Sequence, residues 1–166
     1  MEDINIVVVG NVPPAEIEII KNGLQAVFNH TFKIYARIPM PQKCLIPERG
    51  QYNALCILEQ VLKYPGYRVV GIVSEDMAFE GYNFLLGLAA KNERGCIVSV
   101  HRLRASGARY FERVKKEIMH ELGHTFGLKH CDNRCVMQFS NSVVDVDIKP
   151  AEFCDECASR IREHLR

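Results

Sequence analysis

Hydrophobic and polar positions change period several times along this chain, and each change marks an element. Ile4 to Val9 is a short, β-branched, mostly apolar run that predicts a strand. Ile17, Ile20, Leu24 and Val27 then recur at helical spacing and predict a helix from about Pro13 to Phe28. Thr31 to Ile38 alternates as a second strand, and the stretch Pro39 to Gly50, with three prolines and a glycine, reads as an irregular connection. A second helix is expected over Tyr52 to Tyr64 and a third strand over Tyr67 to Val73. Phe84 to Ala89 and Cys96 to Val100 are apolar runs separated by Lys91-Asn92-Glu93-Arg94-Gly95, the pattern of a strand pair joined by a polar turn. Beyond them Phe111, Val114, Ile118 and Leu122 trace one apolar arc of a long helix, and a last helix is expected from Pro150 to Leu165. The order of elements predicts an α/β (α+β) fold with a mixed sheet packed on helices.

Composition narrows this reading without redirecting it. A chain of 166 residues with 48% hydrophobic and 25% charged residues is expected to form one soluble domain with a proper core. Its 21 basic and 20 acidic side chains leave a net charge of +1, so no overall field favours nucleic acid or an anionic membrane. Lys115, Lys116, Arg160, Arg162 and Arg166 are the only basic groupings, and solvated helix faces account for them. The opening Glu2-Asp3 passes straight into the first strand without a cationic leader, and no apolar run approaches the length of a membrane span. A cytoplasmic location is the expectation.

Chemistry concentrates in His120-Glu121-Leu122-Gly123-His124-Thr125-Phe126-Gly127-Leu128-Lys129-His130. Residues four apart on an α-helix differ by about 40° around its axis and stack one turn above the other, so His120 and His124 converge on one ion. Glu121, about 100° further round, can polarise a bound water without taking a coordination position. Gly127 tolerates the left-handed backbone that ends a helix, which lets the chain fold back and offer His130. Three imidazoles then hold zinc and leave one position for water, with Glu121 as catalytic base. The helix's apolar arc lies on roughly the opposite side, so one face anchors and the other meets a cleft.

A second constellation follows. Cys131-x3-Cys135 and Cys154-x2-Cys157 are short paired spacings separated by a gap, the pattern of a closed four-thiolate zinc site with a structural role. Two disulfides are the competing reading, which a reducing compartment disfavours. Cys154 and Cys157 can share one face of the last helix, and Cys131 directly follows His130, so the second zinc would fasten the ligand loop to that helix. Cys44, Cys56 and Cys96 are isolated in sequence and are expected to be buried free thiols. His30 and His101 read as surface or structural residues, and Asp145 and Asp147 as solvated or turn-capping.

The extended HExxHxxGxxH with a later methionine resembles the metzincin metallopeptidases, in which a methionine turn lies beneath the metal. Met137 is the matching residue. Within that clan Cys131 after the third histidine, Cys135-Val136-Met137 and the late Cys-x2-Cys resemble the archaemetzincins, over residues 120 to 157. The resemblance implies His120, His124 and His130 on a catalytic zinc, Glu121 as base and acid, and Cys131, Cys135, Cys154 and Cys157 on a structural zinc. It also implies a single metallopeptidase domain, with an upper part over about 1–127 and a lower part with the methionine turn over about 128–166. The strand before the metal helix is in metzincins the antiparallel edge on which extended peptide lies, which offers Leu86, Gly87 and Leu88 as substrate contacts. Two departures stand out: the family commonly separates its first two cysteines by four residues rather than three, and Phe139 replaces the tyrosine that some metzincins place two residues after the methionine.

The expectation is therefore a cytoplasmic, monomeric zinc metallopeptidase with two zinc ions and a peptide or protein substrate, and neither nucleic acid nor membrane as partner. Two other readings use the same residues. Small RNA-maturation ribonucleases share the three-histidine spacing but lack the glutamate after the first histidine and the cysteine quartet. A binding module with an idle HExxH is the other.

Overall fold

The apolar central strands are explained by helices on both faces of the sheet they build. The computed structural model describes residues 2–89 and 94–166. Strand β1 (Asp3–Val9) is followed by helix α1 (Pro14–Gln25) and by β2 (Thr31–Ile38), which lies parallel to β1. A 3-10 turn at Gln42–Cys44, β3 (Leu45–Ile46) and β4 (Gln51–Asn53) lead into α2 (Ala54–Val61), and β5 (Arg68–Val73) returns beside β1. Four strands, β6 (Met77–Phe79), β7 (Tyr82–Leu85), β8 (Gly87–Ala89) and β9 (Gly95–Ser99), precede the long α3 (Ala108–Thr125). Two short helices, α4 (Val143–Ile148) and α5 (Asp155–Arg160), complete the described elements.

The main sheet has the order β2-β1-β5-β9-β8, parallel throughout except that β8 runs antiparallel to β9 at one edge. A smaller mixed sheet has the order β3-β4-β6-β7. Ile4, Ile6 and Val8 face the side of α1 and α3, against residues such as Ile17, Leu24, Val114 and Ile118. Val7 and Val9 face the other way, towards Ile57 and Val61 of α2. Burial on both faces is why β1 is a continuous apolar run rather than an alternating one.

Several expected boundaries move, each for a tertiary reason. The second helix begins at Ala54 because Tyr52 and Asn53 pair with β6, and the Asn53 side chain then caps the helix by accepting from the Cys56 amide at 2.9 Å. The last helix covers only Asp155–Arg160: the Glu152 carbonyl accepts from the Val136 amide at 2.8 Å, and Cys154 becomes the N-cap. Its end passes into a 3-10 turn at Arg162–His164, where the His164 carbonyl accepts from the Asn29 amide at 2.7 Å. Helix α4 was not expected; Ser142 caps it, and Lys116 Nζ donates to the Val146 carbonyl at 3.0 Å, holding it on α3. The strand pair before α3 forms as β8 and β9, while Lys91, Asn92 and Glu93 of its turn lie outside the described residues.

One expectation is corrected. Cys44 and Cys56 are not free thiols but a disulfide, with Cα atoms 5.4 Å apart. The turn at Gln42–Cys44 folds back onto α2, a contact that isolated cysteines twelve residues apart do not announce. Cys96 is a buried free thiol. By the chain-entropy model, replacing Cys44 and Cys56 together by serine is expected to cost about 3 kcal/mol in urea unfolding; an unchanged midpoint would show the pair reduced in solution. No helix among the described residues is long and apolar enough to cross a membrane.

Candidate active site

The site is built on α3, whose two faces have different tasks. Val114, Ile118 and Leu122 are fully buried against the sheet, while Phe111 only packs against that cluster's margin. Glu117, His120, Glu121 and His124 point the other way, into a cleft of about 460 Å³. The helix ends at Thr125, and Gly127 takes a φ of 97° that an L side chain adopts only with strain. That turn is closed by the Leu128 amide donating to the Gly123 carbonyl at 2.9 Å and the Gly127 amide donating to the His124 carbonyl at 3.0 Å. The returning chain carries His130 back, so that ligand atoms of His120, His124 and His130 lie within 4.8 Å of one another.

Backbone carbonyls set the orientation of two of these rings. His120 Nδ1 donates to the Val136 carbonyl at 2.9 Å and His124 Nδ1 to the Leu128 carbonyl at 2.8 Å. Because a carbonyl only accepts, the proton of each neutral ring sits on Nδ1 and the lone pair on Nε2. The two Nε2 atoms are 3.2 Å apart, so two lone pairs face each other across a gap that only a cation makes favourable. Tetrahedral zinc with Zn–N bonds of about 2.0–2.1 Å needs roughly 3.3 Å between such nitrogens, so the donor set fits that ion.

Burial keeps the imidazoles neutral and the carboxyl unusual. Burial, the nearby Lys149 ammonium and the neighbouring imidazoles push His120 down to about 2, against the Val136 carbonyl. Burial and Lys149 also lower His130. Burial pushes the Glu121 carboxyl well above the usual carboxylate range, with Glu117 adding to the rise and Lys149 opposing it. A dication held by the imidazoles would pull in the opposite direction.

Above Glu121 runs β8, one of the two edge strands of the main sheet among the described residues. Leu86, Gly87 and Leu88 all line the cleft, although Leu86 is also buried in one core cluster and Leu88 packs on the other. Gly87 is there for space: a Cβ would lie 2.7 Å from Glu121 Oε2 and 3.0 Å from the Ile97 carbonyl oxygen. Met137 is fully buried beneath the helix, and the absence of a side chain at Gly123 admits its sulfur. The exposed ring of Phe139 stands 5.3 Å from that of His130.

The cysteine quartet assembles on the far side of the same loop. The sulfurs of Cys131, Cys135, Cys154 and Cys157 lie within 4.8 Å of one another, and those of Cys131 and Cys154 are 3.8 Å apart. A disulfide needs about 2.05 Å, whereas two thiolates on zinc with Zn–S bonds of about 2.3 Å stand near 3.8 Å. Amides of Cys154 and Met137 donate to Cys135 Sγ at 3.3 and 3.4 Å, the dipoles a thiolate requires. Burial raises Cys154, but the Cys157 amide, Asn133 and neighbouring thiols outweigh it and bring it to about 7. The Cys131 amide also donates to the Met137 carbonyl at 3.0 Å, tying the loop that carries His130 to the turn at Met137.

Sequence reasoning missed two charged residues. Glu117 lies one turn before Glu121 on the same face, a spacing that was open to view. Lys149 arrives from beyond α4, its Nζ 3.1 Å from Glu117 Oε1 and 3.4 Å from His120 Nδ1, and no local spacing points to it. Both are almost wholly buried. His30 and His101 stay away from the centre: the buried His30 ring meets His164 at 3.0 Å between ring nitrogens, and His101 is exposed. Asp147 pairs with Arg113 at 2.8 Å, and Asp145 accepts from the Asn141 amide at 3.2 Å.

Comparison with known proteins agrees with this architecture. The sequence model of peptidase family M54 matches residues 12–163. The archaemetzincin of Archaeoglobus fulgidus is 43% identical over 148 residues, covering 88% of this chain and 91% of that protein. A crystal structure of archaemetzincin from the same organism, complexed with malonate, has a TM-score of 0.89 at 40% identity and covers 96% of this chain and 99% of that one. That of archaemetzincin from Methanopyrus kandleri has a TM-score of 0.86 at 35% identity, with 97% and 94% covered.

Proposed function

The chain belongs to peptidase family M54 and is a zinc metallopeptidase, and from that premise we propose that His120, His124 and His130 hold the catalytic zinc while Glu121 is its general base. The observation that carries this reading is the convergence of three imidazoles, two with their Nε2 lone pairs turned inward by backbone carbonyls, beside a buried carboxylate under the sheet edge.

The ion, when bound, brings a water's pKa towards about 7 and polarises the scissile carbonyl. Glu121 takes the proton from the attacking water and later delivers it to the departing amide nitrogen. Its burial supports the first transfer, because a carboxylate with a raised pKa is a stronger base, a rise that a bound dication would oppose. The outer edge of β8 offers main-chain groups to an extended substrate, with Leu86, Gly87 and Leu88 beside it. Met137 supports the floor, and the four cysteines hold a second, structural zinc that pins the His130 loop to α5. The protein works as a cytoplasmic monomer on peptides, and its near-neutral charge gives no reason for a nucleic-acid substrate.

Metal analysis tests the ligand assignment. Wild type is expected to hold two zinc ions per chain and His124→Ala one; a variant that keeps both would remove His124 from the site. Gly87→Ala tests the geometry above Glu121. Because the added methyl must displace the carboxylate or the strand, kcat/KM is expected to fall about 10²-fold, read from peptide hydrolysis beside an unchanged zinc content.

A further inference from the structure

The disulfide between Cys44 and Cys56, twelve residues apart in sequence, closes a loop that reaches the cleft. Inside it lie β3, β4 and two polar side chains that cross to the cleft wall. Arg49 Nη2 donates to the Asn83 carbonyl at 2.7 Å and to the Tyr82 carbonyl at 3.3 Å. The buried Gln51 donates through Nε2 to the same Asn83 carbonyl at 3.0 Å and to the Asp76 carboxylate at 2.8 Å. Tyr82 and Asn83 open β7, all four residues of which line the cleft. Asp76 also pairs with Arg102 at 2.9 Å, and the Arg102 guanidinium stands 3.9 Å from the ring centroid of Phe84, the next lining residue. The main chain of this wall is therefore held from the disulfide loop.

The other end of the disulfide is fixed. Cys56 lies in α2, whose Ile57, Leu58 and Val61 are buried in the core cluster that also takes Val7 and Val9 of β1. Without the sulfur bridge the loop leans on β3, which pairs with β4 through Leu45 opposite Tyr52 and Ile46 opposite Gln51. So short a two-stranded ladder is marginal by itself, and the disulfide is the strong tie. Cys44 is buried and Cys56 half-buried, which leaves Cys56 as the sulfur that a small thiol can approach. Disulfides in a reducing compartment are usually transient and redox-sensing rather than permanent.

Resting on the peptidase reading and on the cytoplasmic location that goes with it, we propose that Cys44 and Cys56 form a thiol-sensitive clasp that sets substrate affinity through the β7 wall. The thiolate of a monothiol such as glutathione attacks Cys56 Sγ, the sulfur–sulfur bond breaks, and its electron pair leaves on Cys44 Sγ, which takes up a proton. A second thiolate then displaces Cys56 from the mixed disulfide. The pair is thereby reduced to two thiols, while two thiols of the reductant are oxidised to one disulfide. Opening the loop frees Arg49 and Gln51 from the carbonyls of Tyr82 and Asn83, and the wall loses its fixed position. Oxidation restores it. The histidines and Glu121 sit on α3 and the turn that follows, so bond cleavage itself is untouched and the change falls on KM.

The test compares zinc-loaded wild type, its pair oxidised or reduced with glutathione and the state read by thiol alkylation and mass, with a Cys44→Ser/Cys56→Ser variant. The substrate is an acetylated, amidated peptide chosen from a library by its cleavage. Reduction is expected to raise KM about fivefold with kcat unchanged, and to quicken amide hydrogen exchange over residues 82–85. The double variant should show the high KM with and without glutathione, which separates the clasp from any effect of the thiol on zinc. Equal KM in the two states of wild type, or a loss confined to kcat, overturns the proposal, as does a pair that stays reduced under oxidised glutathione. Arg49→Met in oxidised protein leaves the disulfide in place and is expected to raise KM in the same direction. An unchanged KM in that variant also overturns the proposal, because the loop would then not act through β7. If wild type cuts no peptide, the peptidase reading fails; calorimetric binding of the library's tightest peptide to oxidised and reduced Glu121→Gln still decides the clasp, with equal affinities counting against it.

Discussion

Glu121→Gln is expected to lower kcat/KM for peptide hydrolysis by roughly 10³-fold while zinc content stays at the wild-type value. Glutamine keeps the size of the side chain beneath Gly87, so the close approach of Gly87 to this position is undisturbed. What disappears is the ability to take and return a proton. Stability should move the other way in metal-free protein. Burial raises the folded-state pKa of Glu121 above its unfolded value near about 4.3. A carboxyl raised in this way contributes stability that is fully present below the unfolded pKa and is lost as pH rises through the folded one. The metal-free wild type should therefore weaken from pH 4 upward relative to Glu121→Gln, as thermal melts across that range would show. Full hydrolysis by the variant would remove Glu121 as base and turn attention to Glu117.

The second large effect is expected at Cys135. Cys135→Ser should take zinc from two ions per chain to one, and at free zinc about 1,000 times Kd the lost binding is worth roughly 4 kcal/mol of stability. Cys135 is wholly buried, and its sulfur accepts from the amides of Met137 and Cys154, so it joins the methionine turn to the start of α5. The His130 loop is tied to the same turn through the Cys131 amide. Activity should fall with stability, because the third imidazole loses its anchor. Urea unfolding, zinc analysis and peptide hydrolysis on one preparation provide the three readouts. A variant that keeps two zincs would exclude the thiolate site, and native wild-type protein without titratable thiols in the quartet would favour disulfides instead.

The grouping of the histidines and of the cysteines was open to reading in the sequence because much of its geometry is local. His120, Glu121 and His124 share a helix, and Gly127 ends it, so spacing alone places the inward face and the returning chain. Cys154 and Cys157 lie at the cap and first turn of α5, again within reach of local arithmetic. Met137 and the β8 edge came from resemblance to a family rather than from spacing. The expected helix from Pro150 was too long because Glu152 and Cys154 are engaged by Val136 and by their own cap, contacts that periodicity does not encode.

By itself the sequence determined the α/β order of elements, the histidine and cysteine clusters and the chemistry they suit, since helical and strand periods act over a few residues. Only the tertiary structure decided which carbonyls turn His120 and His124 inward, that Cys44 meets Cys56, and that Lys149 sits behind Glu117 beside the histidine cluster. Those contacts join segments brought together by packing of whole elements, where burial and electrostatics, rather than local spacing, select the partner.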